Sequence, residues 1–206
     1  MSSFVAGRVV LKPDAVYRLK VTDRYAIHRL MLQLVESGED ELVAPEIRTR
    51  NPLGLQWVDR GERLEGRVID FLTTRPIRLP SLPSDITLSC RELPKHFLEH
   101  KFYQFQIVVN PIYMRMKHRV AITDEEEILT WFASKLRHGG AACAQLQVDQ
   151  RGRDVFWKDS HRVVYARARI SGVLNVLNRP AFIDTFSKGI GKGRAFGFGF
   201  LQLKII

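Results

Sequence analysis

Cysteine is nearly absent: the 206 residues contain two, Cys90 and Cys143. That is too few for a disulfide framework, and no paired spacing makes them metal ligands, so a reducing compartment is expected, with both thiols as small buried hydrophobes. Long apolar runs are absent too. None approaches the roughly 20 residues that cross a bilayer, and Met1-Ser2-Ser3-Phe4 lacks a basic segment followed by an apolar one, so the expectation is a cytoplasmic chain with no membrane partner. The low hydrophobicity of disordered chains is also missing. Hydrophobic residues make up 45% and charged residues 26%, ordinary globular usage, and the length suits one domain or two small ones.

Acidic side chains are scarce only locally. Thirty-two Lys and Arg stand against 22 Asp and Glu, a net +10. Residues 151–206 hold 11 basic and 3 acidic side chains, so +8 of that excess lies in the C-terminal quarter. A concentrated basic face suits a polyanion such as nucleic acid, although an acidic protein or a membrane surface satisfies the same arithmetic.

Nucleotide-binding loops are excluded by the residues of Gly189-Ile-Gly-Lys-Gly-Arg-Ala-Phe-Gly-Phe-Gly-Phe200, which packs five of the 14 glycines into twelve positions. A phosphate-binding Walker loop needs Ser or Thr after Gly-Lys, but Gly193 follows Lys192. A dinucleotide fingerprint needs a βαβ unit and a downstream acid, but 17 residues follow Gly189. What remains is a flexible glycine-rich loop (Gly189, Gly191, Gly193, Gly197, Gly199) running into a strand, whose amides, with Lys192 and Arg194, can cradle a phosphate backbone, or a structural turn with bulged glycines.

The pattern that is present alternates between strand and helix. Phe4 to Leu11 read as a strand and Lys12 to Lys20 as its exit loop. Thr22 is the expected N-cap of a helix in which Ile27, Leu30, Met31 and Leu34 recur at helical spacing up to Gly38. Short strands are expected at Glu41–Ile47, Leu53–Val58 and Arg67–Thr73. An irregular connection follows, where Pro76 to Pro83 hold three of the nine prolines. Beyond it the reading gives strands at Phe102–Val109 and Met116–Ile122. A helix capped by Thr123 with Glu126 comes next, its apolar stripe formed by Ile128, Trp131, Phe132 and Leu136. Strands at Ala144–Val148, Val163–Leu174 and Phe196–Ile205, with a short helix at Pro180–Phe186, complete the chain. The order predicts an α+β protein of two tandem ferredoxin-like (RRM-like) domains, residues 1–80 and 102–206, joined by a linker over 81–101.

Three constellations carry possible chemistry. His28 and Tyr25 project from neighbouring positions of the first helix, well off the axis of its apolar stripe, where an imidazole beside a phenol can do acid-base work without a metal, or simply pack at the core edge. His96-Phe-Leu-Glu-His100 matches an inverted zinc motif, but Pro94 precedes it and a strand follows within two residues, so the helix that motif requires is not expected and no metal site is assigned. Residues 151–169 interleave Arg151, Arg153, Lys158, His161, Arg162, Arg167 and Arg169 with Phe156, Trp157 and Tyr165, the composition of a basic hairpin that grips phosphates or of a solvated strand face.

Tyr25-Ala-Ile-His28-Arg29 together with Gly189 to Leu201 resembles the CRISPR-associated endoribonucleases of the CasE type. Phe105-Gln-Ile-Val-Val-Asn110-Pro111, then Lys117-His-Arg119-Val and a helix with Trp131 and Leu136, follow that family's elements in the same order. The chain departs from the pattern over Arg60–Arg67 and Ile86–His100. The resemblance implies two RRM-like domains and metal-independent, cofactor-free cutting of CRISPR repeat RNA beside a stem-loop, with the product retained in a Cascade complex among other subunits. It makes Tyr25 and His28 the catalytic pair. Arg29, Lys117, Arg119, Arg151, Arg153, Lys158, Arg162, Lys192 and Arg194 are then expected on RNA, and Lys117, Arg115 or Arg119 to offset charge on the reacting phosphorus. A non-catalytic RNA-binding subunit and a basic module binding DNA or protein stay open beside this reading.

Overall fold

In the computed structural model the chain divides into two compact units, Met1–Leu93 and Pro94–Ile206. The structure describes residues 4–36, 54–74, 82–158 and 160–206. The strand expected at Glu41–Ile47 and most of the proline-rich connection lie outside those residues.

The first unit runs β1 (Val5–Leu11), α1 (Pro13–Arg18), α2 (Arg24–Glu36), β2 (Gln56–Arg63), β3 (Gly66–Thr73) and β4 (Ile86–Glu92). Its sheet has the order β2-β3-β1-β4, antiparallel throughout. Counting strands along the chain, this is the split-βαβ arrangement of a ferredoxin-like fold, with the third strand inserted between the first and second. Register is set by burial on one face: Val9 lies opposite Ile69, and both join Ile27, Leu30, Met31, Leu34, Trp57 and Phe71 in one core. Each such fully buried aliphatic side chain contributes about 1.5–3 kcal/mol, so the helix is held mainly by this stripe.

Two expectations for this half are corrected. The stretch Lys12 to Lys20 is not a plain exit loop, because Pro13 at the first helical turn starts α1, a helix of 6 residues, too short to reveal its period. The linker expected over 81–101 contains β4, which pairs along the whole of β1 from Val5↔Glu92 to Leu11↔Ile86. One face of β4 looks outward, so Cys90 is exposed and not the buried thiol expected of it.

The second unit runs β5 (Phe102–Val109), β6 (Ile112–Arg115), β7 (His118–Ala121), α3 (Glu125–His138), β8 (Ala141–Lys158), β9 (His161–Val176), α4 (Arg179–Lys188), a single 3-10 turn at Arg194–Phe196, and β10 (Gln202–Ile205). Its sheet has the order β10-β5-β9-β8. With the β6–β7 hairpin set aside as an insertion, this is the same strand order as in the first unit. Phe105 stacks on Phe132 at 5.6 Å and Tyr103 meets Phe182 at 5.8 Å, joining the sheet to α3 and α4. The α3 cap is shifted by one residue from expectation: Asp124 accepts the Glu127 amide at 3.0 Å, a carboxylate also favoured by the helix dipole. The strands read as Ala144–Val148 and Val163–Leu174 are longer, at 18 and 16 residues, because two register shifts carry β8 past Val148 into a long hairpin. Cys143 on β8 is half-buried, and burial pushes its thiol up to about 11.

His96 to His100 form a turn and no helix. Phe97 packs on Tyr103 and Phe186, the Tyr103 hydroxyl donates to the Phe97 carbonyl at 2.6 Å, and Arg179 donates to the Leu98 carbonyl at 2.6 Å. The segment is a packed cover for the second core. His96 Nδ1 lies 2.6 Å from a Glu99 carboxylate oxygen, and among the described residues no group of three or more His, Cys, Asp or Glu is arranged to hold a metal.

On β1 and β3, Arg8 and Asp70 are directly paired and bonded at 2.7 Å, with Arg60 of β2 on the other carboxylate oxygen at 2.9 Å. Burial pushes the Asp70 carboxyl up, but the hydrogen bonds and charges of Arg8 and Arg60 outweigh it and hold it below its ordinary value. A carboxylate lowered in the folded state stabilises above its unfolded pKa, and that stability is lost as pH falls. Denaturant titrations of Asp70→Asn are therefore expected to show a smaller drop in stability than the parent between neutral pH and pH values below about 4. An identical drop in the two proteins would contradict this account.

Candidate functional site

Asp23 fixes where α2 begins. Its Oδ1 accepts the Ala26 amide at 2.9 Å and its carbonyl the Ile27 amide at 3.1 Å, so Asp23, one residue after the expected Thr22, is the cap. Tyr25 falls in the first turn and His28 one turn later, their Cβ atoms about 5–6 Å apart as any such helical pair. Ile27, Leu30, Met31 and Leu34 are buried, whereas Tyr25 and His28 are half-buried and Arg29 is exposed. The pair thus flanks the apolar stripe as the spacing predicts. Both side chains lie beside the core and keep part of their surface exposed.

Arg67 supports this arrangement from the sheet. Its guanidinium bonds Asp59 at 2.7 Å and donates to the Val21 carbonyl at 3.0 Å, tying β2 and β3 to the chain just before the cap. Nothing in the linear pattern singled it out.

Except for Arg29, the other expected site residues belong to the second unit. Gly189, Gly191, Gly193, Gly197 and Gly199 all have φ between 74° and 86°, a left-handed backbone that glycine adopts without strain. The segment is wound on itself, not an open loop. The Ile190 amide donates to the Gly199 carbonyl at 2.9 Å, the Gly199 amide to Val108 at 2.7 Å, and Lys192 bridges Asn110 at the end of β5. A strand over Phe196–Ile205 is therefore corrected to β10 alone, since alternate left-handed glycines break the extended run. Close packing is equally strict: a Cβ at Gly193 would lie 2.9 Å from the Tyr165 ring, and one at Gly199 2.3 Å from the Ile190 carbonyl oxygen.

The expected cations divide into two groups. Lys117, Arg119, Arg153, Lys158, Arg162 and Lys192 are exposed. Lys117 sits in the β6–β7 turn, where it and Met116 have φ of 68° and 46°, the paired left-handed residues of a tight hairpin turn. Two others are engaged within the protein. Arg151 donates to the Thr123 carbonyl at 2.8 Å with Glu125 at 3.7 Å, and Arg194 is half-buried and donates to the Lys188 carbonyl at 2.8 Å.

An aromatic cluster unites these elements. Phe156 of β8 meets Phe196 of the glycine-rich segment at 4.7 Å and Tyr165 of β9 at 5.5 Å, and Tyr165 meets Phe198 at 5.6 Å. Burial pushes the Tyr165 phenol up against a smaller downward pull from Arg119, which brings β7 into the same neighbourhood. Hairpin and glycine-rich segment are thus packed together, and both carry exposed cations. The aromatic residues were visible in the sequence, but their mutual packing is a tertiary fact that spacing does not encode.

A family model described as CRISPR associated protein matches residues 7–204. Among solved structures, Thermus thermophilus Cse3 bound to an RNA representing a pre-cleavage complex is similar at 20% identity and a TM-score of 0.80, covering 98% of this chain and 99% of that one. The CRISPR-associated protein Cas6e of Escherichia coli K-12 is similar at 18% identity and a TM-score of 0.70, covering 98% and 100%. A chain of a CRISPR RNA-guided surveillance complex, pre-nicking, is similar at 18% identity with a TM-score of 0.70, covering 98% and 100%. No curated protein matches the chain. These likenesses show the tandem ferredoxin-like fold across almost the whole chain.

The glycine geometry makes a direct prediction. Gly61 also has a positive φ, 74°, but nothing lies within 4 Å of where its Cβ would be. Gly61→Ala carries the backbone strain alone, about 1–3 kcal/mol, whereas Gly199→Ala adds a clash with backbone. Chemical denaturation is expected to rank Gly199→Ala as clearly less stable than Gly61→Ala, and equal losses would refute the packing argument.

Proposed function

We propose, for a chain that belongs to the family of CRISPR associated proteins, that it is a metal-independent endoribonuclease cutting CRISPR repeat RNA beside a stem-loop and staying with its product among the subunits of a Cascade complex in the cytoplasm. The observation that carries the reading is the half-exposed Tyr25–His28 pair on the flank of a capped, core-anchored helix. The RNA-bound state of Cse3 and the likeness to a chain of a surveillance complex support the substrate and the assembly. Among the described residues no helix is long and apolar enough to cross a membrane.

RNA supplies its own nucleophile. The 2′-oxygen attacks the adjacent phosphorus as its proton leaves to a base, the P–O5′ bond breaks, and the departing O5′ takes a proton from an acid. The products are a 2′,3′-cyclic phosphate and a 5′-hydroxyl, with no oxidant or metal needed for balance. His28 serves as base or acid, since an imidazole nitrogen can take or give a proton, while Tyr25 orients the phosphate or donates its hydroxyl proton. The first domain carries the chemistry and the second the grip on RNA, through the exposed cations of the β8–β9 hairpin, the β6–β7 turn and Lys192.

Cleavage of a candidate repeat stem-loop in EDTA is the decisive assay. His28→Ala should slow it by about 100- to 10,000-fold with RNA affinity retained, and Tyr25→Phe should lose less. Activity abolished by EDTA and rescued by a divalent ion, or a 3′-hydroxyl product, would overturn the mechanism. RNA binding without any cleavage would leave a non-catalytic subunit.

Salt dependence checks the grip. Arg162→Ala and Lys192→Ala should each lower the slope of log affinity against log salt by about 0.7–0.9, whereas Arg194→Ala, whose guanidinium serves the Lys188 carbonyl, should shift stability more than slope. Unchanged slopes for Arg162→Ala and Lys192→Ala would move the binding face elsewhere.

A further inference from the structure

Beyond the second register shift, β8 and β9 pair residue for residue from Arg151↔Ala168 to Lys158↔His161. Strand alternation gives this ribbon two different faces. One face carries Phe156, 1% exposed, and Tyr165, and packs on Phe196. The other pairs Val155 with Val164 and Trp157 with Arg162, and it is open: Val155 is 48% exposed, Trp157 56% and Val164 45%.

A tryptophan and two valines in one exposed patch are unusual on a soluble surface, and an apolar patch rimmed by charge marks a binding site. The rim here is cationic, with Arg153 and Arg162 on the same face and Lys158 at the tip, all exposed. The packing behind it makes the platform rigid, so little conformational entropy is lost when a flat ligand settles on it.

We propose that the Trp157 face of the hairpin stacks an unpaired nucleobase of the bound RNA, with Arg162 opposite it on the base's phosphate. The proposal rests on the RNA-binding reading above and specifies which part of the RNA this face takes. Charge complementarity favours RNA over an apolar protein surface. Within a stem the base faces are already covered by their neighbours, so an aromatic side chain on a ribbon reaches only a nucleotide outside the helix, in the loop or in a flank. Phosphate contacts alone would not need Trp157, because Lys or Arg serves them better.

The test compares the full chain with Trp157→Leu and Trp157→Phe for affinity toward repeat stem-loop RNA, intact or with its unpaired nucleotides made abasic. Leucine keeps apolar area and removes the π face; phenylalanine keeps a ring and controls for folding. Trp157→Leu should bind intact RNA about 5- to 150-fold more weakly, Trp157→Phe should lose much less, and on abasic RNA the parent and Trp157→Leu should bind alike. Equal affinity of parent and Trp157→Leu for intact RNA would overturn the stacking proposal while leaving the endoribonuclease reading standing, provided the parent still binds and cleaves. A deficit of the same size on abasic RNA, or a loss confined to assembly with partner subunits, would also overturn it, the latter marking a protein-docking face. A parent that binds no repeat RNA at all would refute the functional reading itself.

Discussion

One guanidinium organises the first unit. Arg67 on β3 bonds Asp59 on β2 at 2.7 Å and donates to the Val21 carbonyl at 3.0 Å, and both partners of the ion pair are mostly buried. The Asp59 carboxylate also accepts the Gly61 amide at 2.8 Å, where β2 shifts register. A partly buried pair of this kind contributes little net stability once desolvation is counted, but it admits few alternative geometries. Its effect is to fix the chain two residues before the Asp23 cap. Once the cap is fixed, the helical period determines that Ile27, Leu30, Met31 and Leu34 enter the core and that Tyr25 and His28 do not.

The second unit solves a different problem with a different contact. A surface for a polyanion needs several cations held at once, and long cationic side chains on a free ribbon would each have to be ordered on binding. The Phe156–Tyr165–Phe196 cluster removes part of that cost by packing the hairpin against the glycine-rich segment. The glycines follow from this closeness. A side chain at residue 193 would meet Tyr165 and one at residue 199 would meet backbone, so the glycine-rich composition reflects tight winding against the hairpin.

Much of this was legible in the sequence, and the exceptions share a physical cause. Long periodic segments were read correctly: the stripe of α2, the alternation of β5, and α3 between its acidic start and Gly139-Gly140. The Tyr25–His28 pair was legible because helical angles alone put it beside the stripe. Short or non-periodic elements were missed. Pro13 reads as a loop when α1 has 6 residues, and β4 hid in a stretch whose outward face is polar. The outer half of the β8–β9 hairpin was legible as a basic hairpin over residues 151–169 from its interleaved cations and aromatics, but its strand lengths and register were not. Tertiary bonds were not legible at all. Arg151 and Arg194 look like any other cation in the string, yet each is directed to a main-chain carbonyl, of Thr123 and Lys188 respectively.

The same strand order in both units explains how one architecture supports two tasks. In β2-β3-β1-β4 and in β10-β5-β9-β8 the two central strands are the first and third of their unit, and these carry the buried pairs that hold the sheet. The helix packed on the sheet is then rigid, which suits acid-base chemistry, where a displacement of about 1 Å is felt strongly in rate. The edge strands and connections are under no such constraint. In the second unit β8, at the edge, extends with β9 beyond the sheet's own width, and the β6–β7 hairpin is inserted after β5 without altering the order. Reach and charge were added where the fold tolerates length, and the Tyr25–His28 pair proposed for the chemistry sits where it tolerates none.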